Sequence, residues 1–143
     1  MLNMLKKQVV MIIGLYIRVS TDKQAQEGYS LEGQAEEGIR VAKKMFGEDI
    51  QYELYIDEGL SAKSTYKRIA LKRMMNDLKS GKLSAVITYK VSRLSRSLSD
   101  SLKLVEEINS AKVRFISIKE GEYGTPHANL QFNILASVTN EKN

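Results

Sequence analysis

Apolar positions along the chain gather into four runs rich in β-branched residues: Val9–Val19, Ile50–Ile56, Ala85–Val91 and Val113–Ile118. The first and third are nearly continuous, as expected of strands buried on both faces. Between the runs the spacing changes to threes and fours. Leu31, Ala35, Ile39, Ala42 and Phe46 form one helical stripe, stopped by Gly47. Ile69, Met74, Met75 and Leu78 form a second, closed by Ser80–Gly81. Leu98, Leu102, Val105 and Ile108 form a third, opened by Ser97 with Asp100 three residues later, a pattern like a capping box. Leu130, Ile134, Leu135 and Val138 begin a fourth helix after Pro126. This alternation predicts an α/β fold: a largely parallel four- or five-stranded sheet flanked by helices.

Such sheets bind ligands beyond the carboxyl ends of their strands. The segments to inspect are therefore Arg18–Tyr29, Asp57–Arg68, Ser92–Ser99 and Lys119–Asn129. The opening MLNMLKKQVVMIIGLYI has two lysines before an apolar stretch, in the manner of a signal peptide. Arg18 closes that stretch, no small-residue cleavage site follows, and its length is too short to span a bilayer. It reads as a strand, and a cytoplasmic protein without membrane attachment is expected. The last helix breaks off at Glu141–Lys142–Asn143 without a capping glycine, so a fragment of a longer protein is expected.

Composition narrows the chemistry. With 143 residues, 43% hydrophobic and 27% charged, the chain suits one globular domain. It has no Cys, which removes thiol nucleophiles, disulfides and Cys-ligated metals. Its one His, His127, removes multi-His metal sites and reads as a surface or capping residue. No glycine-rich phosphate loop is present, and no cofactor is expected. The net charge of +5 leans toward a polyanionic partner, and its make-up says more than its size. Of seven arginines among 22 basic residues, Arg18, Arg68, Arg93 and Arg96 fall at or near predicted strand ends. A guanidinium is always charged and offers a planar fork of donors that matches phosphate oxygens. Ser20 lies two residues after Arg18, on the same side of an extended chain. The pair reads either as nucleophile and clamp or as part of a Ser20–Thr21–Asp22 turn. Arg93 and Arg96, three apart where a strand gives way to a helix, share one face if Arg93 starts that helix, and a bound polyanion would offset their repulsion. Asp57, Glu58, Glu120 and Glu122 follow strands and read as solvated carboxylates or as ligands for Mg²⁺.

The segments YIRVST, EGYSLEGQ, DEGLSAKS, YKVSRLSRS and NILASVTNEK, in this order and spacing, resemble the serine recombinase family. The chain is similar, over residues 12 to 143, to the N-terminal catalytic domain of its large members, found in phage integrases and transposon recombinases. The resemblance implies a resolvase-like catalytic domain over residues 1–128. Residues 129–143 would then begin a long dimerisation helix, with DNA-binding domains beyond. It implies that Ser20 attacks a DNA phosphodiester, giving a covalent 5′-phosphoserine and a free 3′-hydroxyl. Arg18, Arg93 and Arg96 would hold the scissile phosphate, Gln34 would be a polar site residue, and Asp57, Ser61 and Arg68 would complete the site. Lys90 and Lys142, the latter paired with Glu141 in a family-typical motif, would contact DNA. The implied partners are double-stranded attachment sites and further copies of the chain, a dimer that becomes a tetramer on paired sites. No metal or cofactor is implied. The chain departs from the family pattern at Ser92, where D-R-L-x-R has Asp, at Ala62 for Gly and at Ile69 for Pro. No general base for Ser20 is identified. Two readings from other classes are a metal-dependent nuclease using Asp57, Glu58 and Glu120, and a non-catalytic DNA-binding or regulatory domain.

Overall fold

The computed structural model describes residues 10–20, 30–59 and 68–141; at positions 20, 140 and 141 it describes the backbone alone. Strand β1 (Ile12–Ser20) leads through α1 (Leu31–Phe46) to β2 (Gln51–Gly59). Then follow α2 (Ile69–Lys79), β3 (Ala85–Thr88), a 3₁₀ turn (Val91–Arg93) and α3 (Leu98–Ser110). Strand β4 (Arg114–Ser117), the short β5 (Gly121–Glu122) and α4 (Pro126–Glu141) complete the order. The sheet order is β2-β1-β3-β4-β5, parallel except for the β4–β5 pair. The expected α/β architecture is thus observed with five strands.

Alternation along β1 divides its side chains between two cores. Ile13 and Leu15 join Ala42, Ala85, Ile87 and Ile116 under α1. Tyr16 faces the opposite way, into the larger core with Tyr55, Met74, Leu78, Val86, Phe115 and Phe132 under α2, α3 and α4. Both faces of β1 are therefore covered, which accounts for its unbroken apolar run. Helix α1 starts at Ser30, whose Oγ accepts the Gly33 N–H at 3.0 Å. Its most buried line is Gln34, Gly38 and Ala42 rather than the larger residues beside it. Small side chains there let the helix approach the sheet: a Cβ on Gly38 would already meet Leu15 Cδ2 at 3.4 Å.

Several boundaries differ from the sequence expectations. Ile69 is 69% exposed, and α2 buries Ala70, Leu71, Met74, Met75 and Leu78 instead. Strand β3 ends at Thr88, not Val91, because the chain turns into the 3₁₀ segment. Helix α4 begins at Pro126, where a missing N–H costs nothing, rather than at residue 129. Strand β5 occupies part of a segment read as loop; two residues are too few to show a period. Gly121 opens it at φ 104°, and a Cβ there would stand 3.0 Å from that of Ala128. Glycine thus lets β5 lie against the first turns of α4.

The start of α2 is capped from a distance. Arg68, the residue before it, is left-handed (φ 51°, ψ 47°) and supplies no side-chain cap. The carboxylate of Asp57 on β2 does so instead, accepting the N–H of Ala70 at 2.8 Å and of Leu71 at 3.0 Å. It also accepts the Tyr16 hydroxyl at 2.8 Å. Three donors and a helix N-terminus compensate for burying this charge at 6% exposure.

Asp57→Ala strands three buried donors and is expected to cost about 2–4 kcal/mol in urea unfolding, with Asp57→Asn costing less. A loss below about 1 kcal/mol would show that α2 does not depend on this cap. At the far sheet edge, Arg114 donates two hydrogen bonds to Glu122, at 2.7 and 2.8 Å. That fork holds the Glu122 carboxyl below its ordinary value of 4.5. A depressed carboxyl stabilises the fold above its unfolded value and ceases to do so as pH falls through the folded one. Glu122→Gln is therefore expected to melt below the wild type at pH 7, the gap closing in acid below 4.5. A gap that persists there would exclude the charge as its cause.

Candidate active site

The chain reverses its direction of sheet growth between β1 and β3, with β2 on one side and β3 on the other. Ligands of open α/β sheets bind at the carboxyl ends of the strands flanking such a switch. Ser20 closes β1 at this place, its backbone in register with Gly59 of β2. Its side chain lies outside the described residues, as do Ser61 and Lys142 altogether.

Three arginines meet beside the end of β1. Arg18, two residues before Ser20, donates from Nη2 to the Ser92 carbonyl at 3.1 Å. Arg68 donates from Nη2 to the Leu94 carbonyl. Both acceptors belong to the turn that carries Arg93, itself only 8% exposed. The turn is closed by Arg93 N–H to Lys90 O at 2.9 Å and Leu94 N–H to Val91 O at 3.0 Å. Val91 and Leu94 are fully buried, so the arginine-bearing turn is pinned in the core on either side of its polar residues. Arg68 Nε is buried without a hydrogen-bond acceptor among the described residues, a costly state for a cationic donor unless an anion can approach.

The expectation that Arg93 opens a helix is corrected. Arg93 ends the 3₁₀ turn, and α3 begins at Leu98 after the cap Ser97, whose Oγ accepts the Asp100 N–H at 3.2 Å. Arg96, exposed, lies in the link between them. Arg93 therefore stands clear of a helix N-terminus, while Arg96 immediately precedes the cap of α3. Lys90 is half-buried just before the turn.

Gln34 lies on the other face of the sheet from these arginines. It is 7% exposed in the first turn of α1, lining a narrow crevice with Tyr16, Thr88, Tyr89 and Ile118. The carboxylates considered as metal ligands are used differently. Asp57 is the cap of α2, and Glu120 Oε1 accepts the Val91 N–H at 3.0 Å. Among the described residues no three His, Asp or Glu groups stand close enough to share a metal ion. His127 is exposed in the first turn of α4, as a surface residue.

Sequence reasoning passed over Tyr16. A phenol in an otherwise aliphatic, doubly covered strand requires a buried acceptor, and that requirement was the available signal. Its acceptor is Asp57, paired across from Arg18 in the sheet. Glu120 is legible by its charge, while its hydrogen bond to the turn has no local sequence signature.

The sequence and the fold have known relatives. Residues 13–143 match the family model described as "Resolvase, N terminal domain". A putative DNA recombinase of Bacillus subtilis (strain 168) is 35% identical over 129 residues, 90% of this chain and 24% of that protein. The chain thus spans about a quarter of that relative's length. The N-terminal catalytic domain of TP901-1 integrase superposes with TM-score 0.70 at 30% identity, covering 92% of this chain and 95% of that one. A resolvase family site-specific recombinase from Streptococcus pneumoniae gives 0.68 at 33% identity, covering 92% and 87%. The family model covers nearly the whole chain and these structures share its sheet and helices; the chain belongs to the resolvase family of serine recombinases, as a representative of its N-terminal domain.

Proposed function

We propose that this chain is the catalytic domain of a large serine recombinase that performs site-specific DNA recombination, integrating or excising a mobile element. The observation that carries the reading is the convergence of Arg18 and Arg68 on the turn bearing Arg93, beside the strand end occupied by Ser20. In this reading the Ser20 hydroxyl attacks a DNA phosphorus. The bond from phosphorus to the 3′ oxygen breaks, that oxygen takes a proton to become a free hydroxyl, and a 5′-phosphoserine ester remains. The reverse step, by a 3′-hydroxyl from another strand, rejoins DNA without an external energy source.

The residues divide this work by their chemistry. Arg18, Arg68 and Arg93 neutralise the phosphate and the charge that accumulates as the bonds exchange, with Arg96 beside them. Their guanidinium forks match phosphate oxygens, and their tethering to a fixed turn reduces the reorganisation required in the reaction. Tyr16 and Asp57 support Arg68 by holding the start of α2. By family pattern Ser61 and Gln34, the latter across the sheet from the arginines, are assigned to the same site, and Lys90 and Lys142 add attraction for the DNA backbone.

The partners in this reading are double-stranded attachment sites and further copies of the chain. Leu130, Ile134 and Val138, spaced by four on α4, are 66%, 49% and 40% exposed, an apolar stripe suited to a second copy. A dimer assembled there would give a tetramer on paired sites. No helix among the described residues is long and apolar enough to cross a membrane. A nuclease that assembles a metal on Asp57 and Glu120 is disfavoured, because backbone N–H groups already occupy both carboxylates.

The test uses the intact protein and labelled duplexes spanning the two junctions of the element that encodes it, with EDTA present. A protein–DNA adduct is expected on a denaturing gel, and Ser20→Ala is expected to abolish it. An adduct that persists in that variant would remove Ser20 as the nucleophile. Cleavage lost to EDTA would instead indicate a metal nuclease, and binding without an adduct a regulatory domain. Arg93→Lys is expected to keep DNA binding within about threefold and to slow adduct formation about a hundredfold, since the charge survives and the fork does not. Equal rates for Lys and Arg would exclude a bidentate role.

A further inference from the structure

The turn from Val91 to Leu94 is held by three polar side chains from separate parts of the chain. Arg18 of β1 takes the Ser92 carbonyl and Arg68, before α2, takes the Leu94 carbonyl. Glu120, between β4 and β5, takes the Val91 N–H at 3.0 Å. The two arginines are themselves candidates for contact with phosphate, so their donors are divided between the turn and DNA. Glu120 is an acceptor and has no such alternative.

Glu120 is also firmly placed. Its own N–H donates to Ser117 Oγ at 3.1 Å, and that hydroxyl donates back to Glu120 Oε1. Ser117 is 1% exposed. The backbone ladder runs up to the position, with Ile118 N–H to Thr88 O and Lys119 N–H to Tyr89 O, each at 2.9 Å. The carboxylate is thus fixed to the sheet by Ser117 and transmits that fixity to the first residue of the arginine turn.

We propose that Glu120 is a positioning residue for DNA cleavage: its carboxylate, braced by Ser117, sets the height and tilt of the Val91–Leu94 turn and thereby aims Arg93. The inference rests on the recombinase reading above. It assigns Glu120 neither metal binding nor proton transfer; the property that matters is a fixed oxygen that accepts one N–H. An amide oxygen at the same place therefore preserves the function.

The experiment compares wild type, Glu120→Ala, Glu120→Gln and Ser117→Ala as intact proteins on the junction duplexes. Adduct formation is timed at saturating DNA, and half-saturation is measured separately by gel retardation. Glu120→Ala is expected to slow adduct formation at least tenfold with half-saturation within threefold of wild type. Glu120→Gln is expected to recover to within threefold of the wild-type rate, and Ser117→Ala to fall between. Hydrogen exchange reads the turn directly: the Val91 amide is expected to exchange at least tenfold faster in Glu120→Ala, with Ile118 unchanged. Should the alanine variant fail to fold, Ser117→Ala carries the test, with faster exchange at Val91 and slower cleavage expected together. Three results would overturn the proposal: alanine cleaving at the wild-type rate, glutamine as slow as alanine, or unchanged exchange at Val91. Wild type forming no adduct at all would instead refute the recombinase reading on which the proposal stands.

Discussion

The buried carboxylate of Asp57 is the constraint on which the candidate site rests. An ionised group at 6% exposure is tolerable only when its oxygens are occupied. The three donors that occupy it come from β1 and from the first turn of α2. One charge thus joins two strands and a helix at the carboxyl end of the sheet, where Ser20 lies. It also permits an unusual backbone at Arg68, whose left-handed conformation costs about 1–2 kcal/mol for a side chain with a Cβ. That conformation precedes a helix whose start is fixed from outside, and the guanidinium that results reaches the Leu94 carbonyl.

A second layer of the same logic runs through the 3₁₀ turn. Apolar side chains of Val91 and Leu94 bury its ends, while its polar backbone groups are taken by side chains of Arg18, Arg68 and Glu120. A turn so short has few hydrogen bonds of its own and takes its shape from its surroundings. Strand β1, the approach to α2 and the β4–β5 connection therefore all bear on where Arg93 points.

Much of the scaffold was legible in the sequence because it depends on periodicity. The helix predicted between Leu31 and Phe46 occupies those residues, and the parallel sheet follows from apolar runs alternating with helical stripes. The rare arginines were legible as a group for a related reason: they lie where strands end, and strand ends are readable. What escaped was whatever depends on distant partners. Asp57 caps α2 across 13 residues, so neither Arg68 nor Ile69 carries a local mark of the cap. The place of Arg93 in a 3₁₀ turn, rather than in a helix, depends on the fit of Val91 and Leu94 into the core. Spacing of three between Arg93 and Arg96 is common to both geometries and does not separate them. At Gly121 the reason for glycine is a helix that starts five residues later.

The carbonyl acceptors of Arg18 and Arg68 bear on when disorder is lost. A long cationic side chain in water samples many rotamers, and immobilising it on a ligand costs roughly 0.5–1.5 kcal/mol. Here the main-chain oxygens of Ser92 and Leu94 restrict both guanidiniums as part of the fold itself. In the proposed reading the entropy is surrendered when the chain folds and not again at each encounter with a phosphate. Such a site trades the adaptability of loose lysines for a fixed spacing between positive charges. In that reading it can discriminate by shape between a DNA backbone correctly seated and one merely nearby.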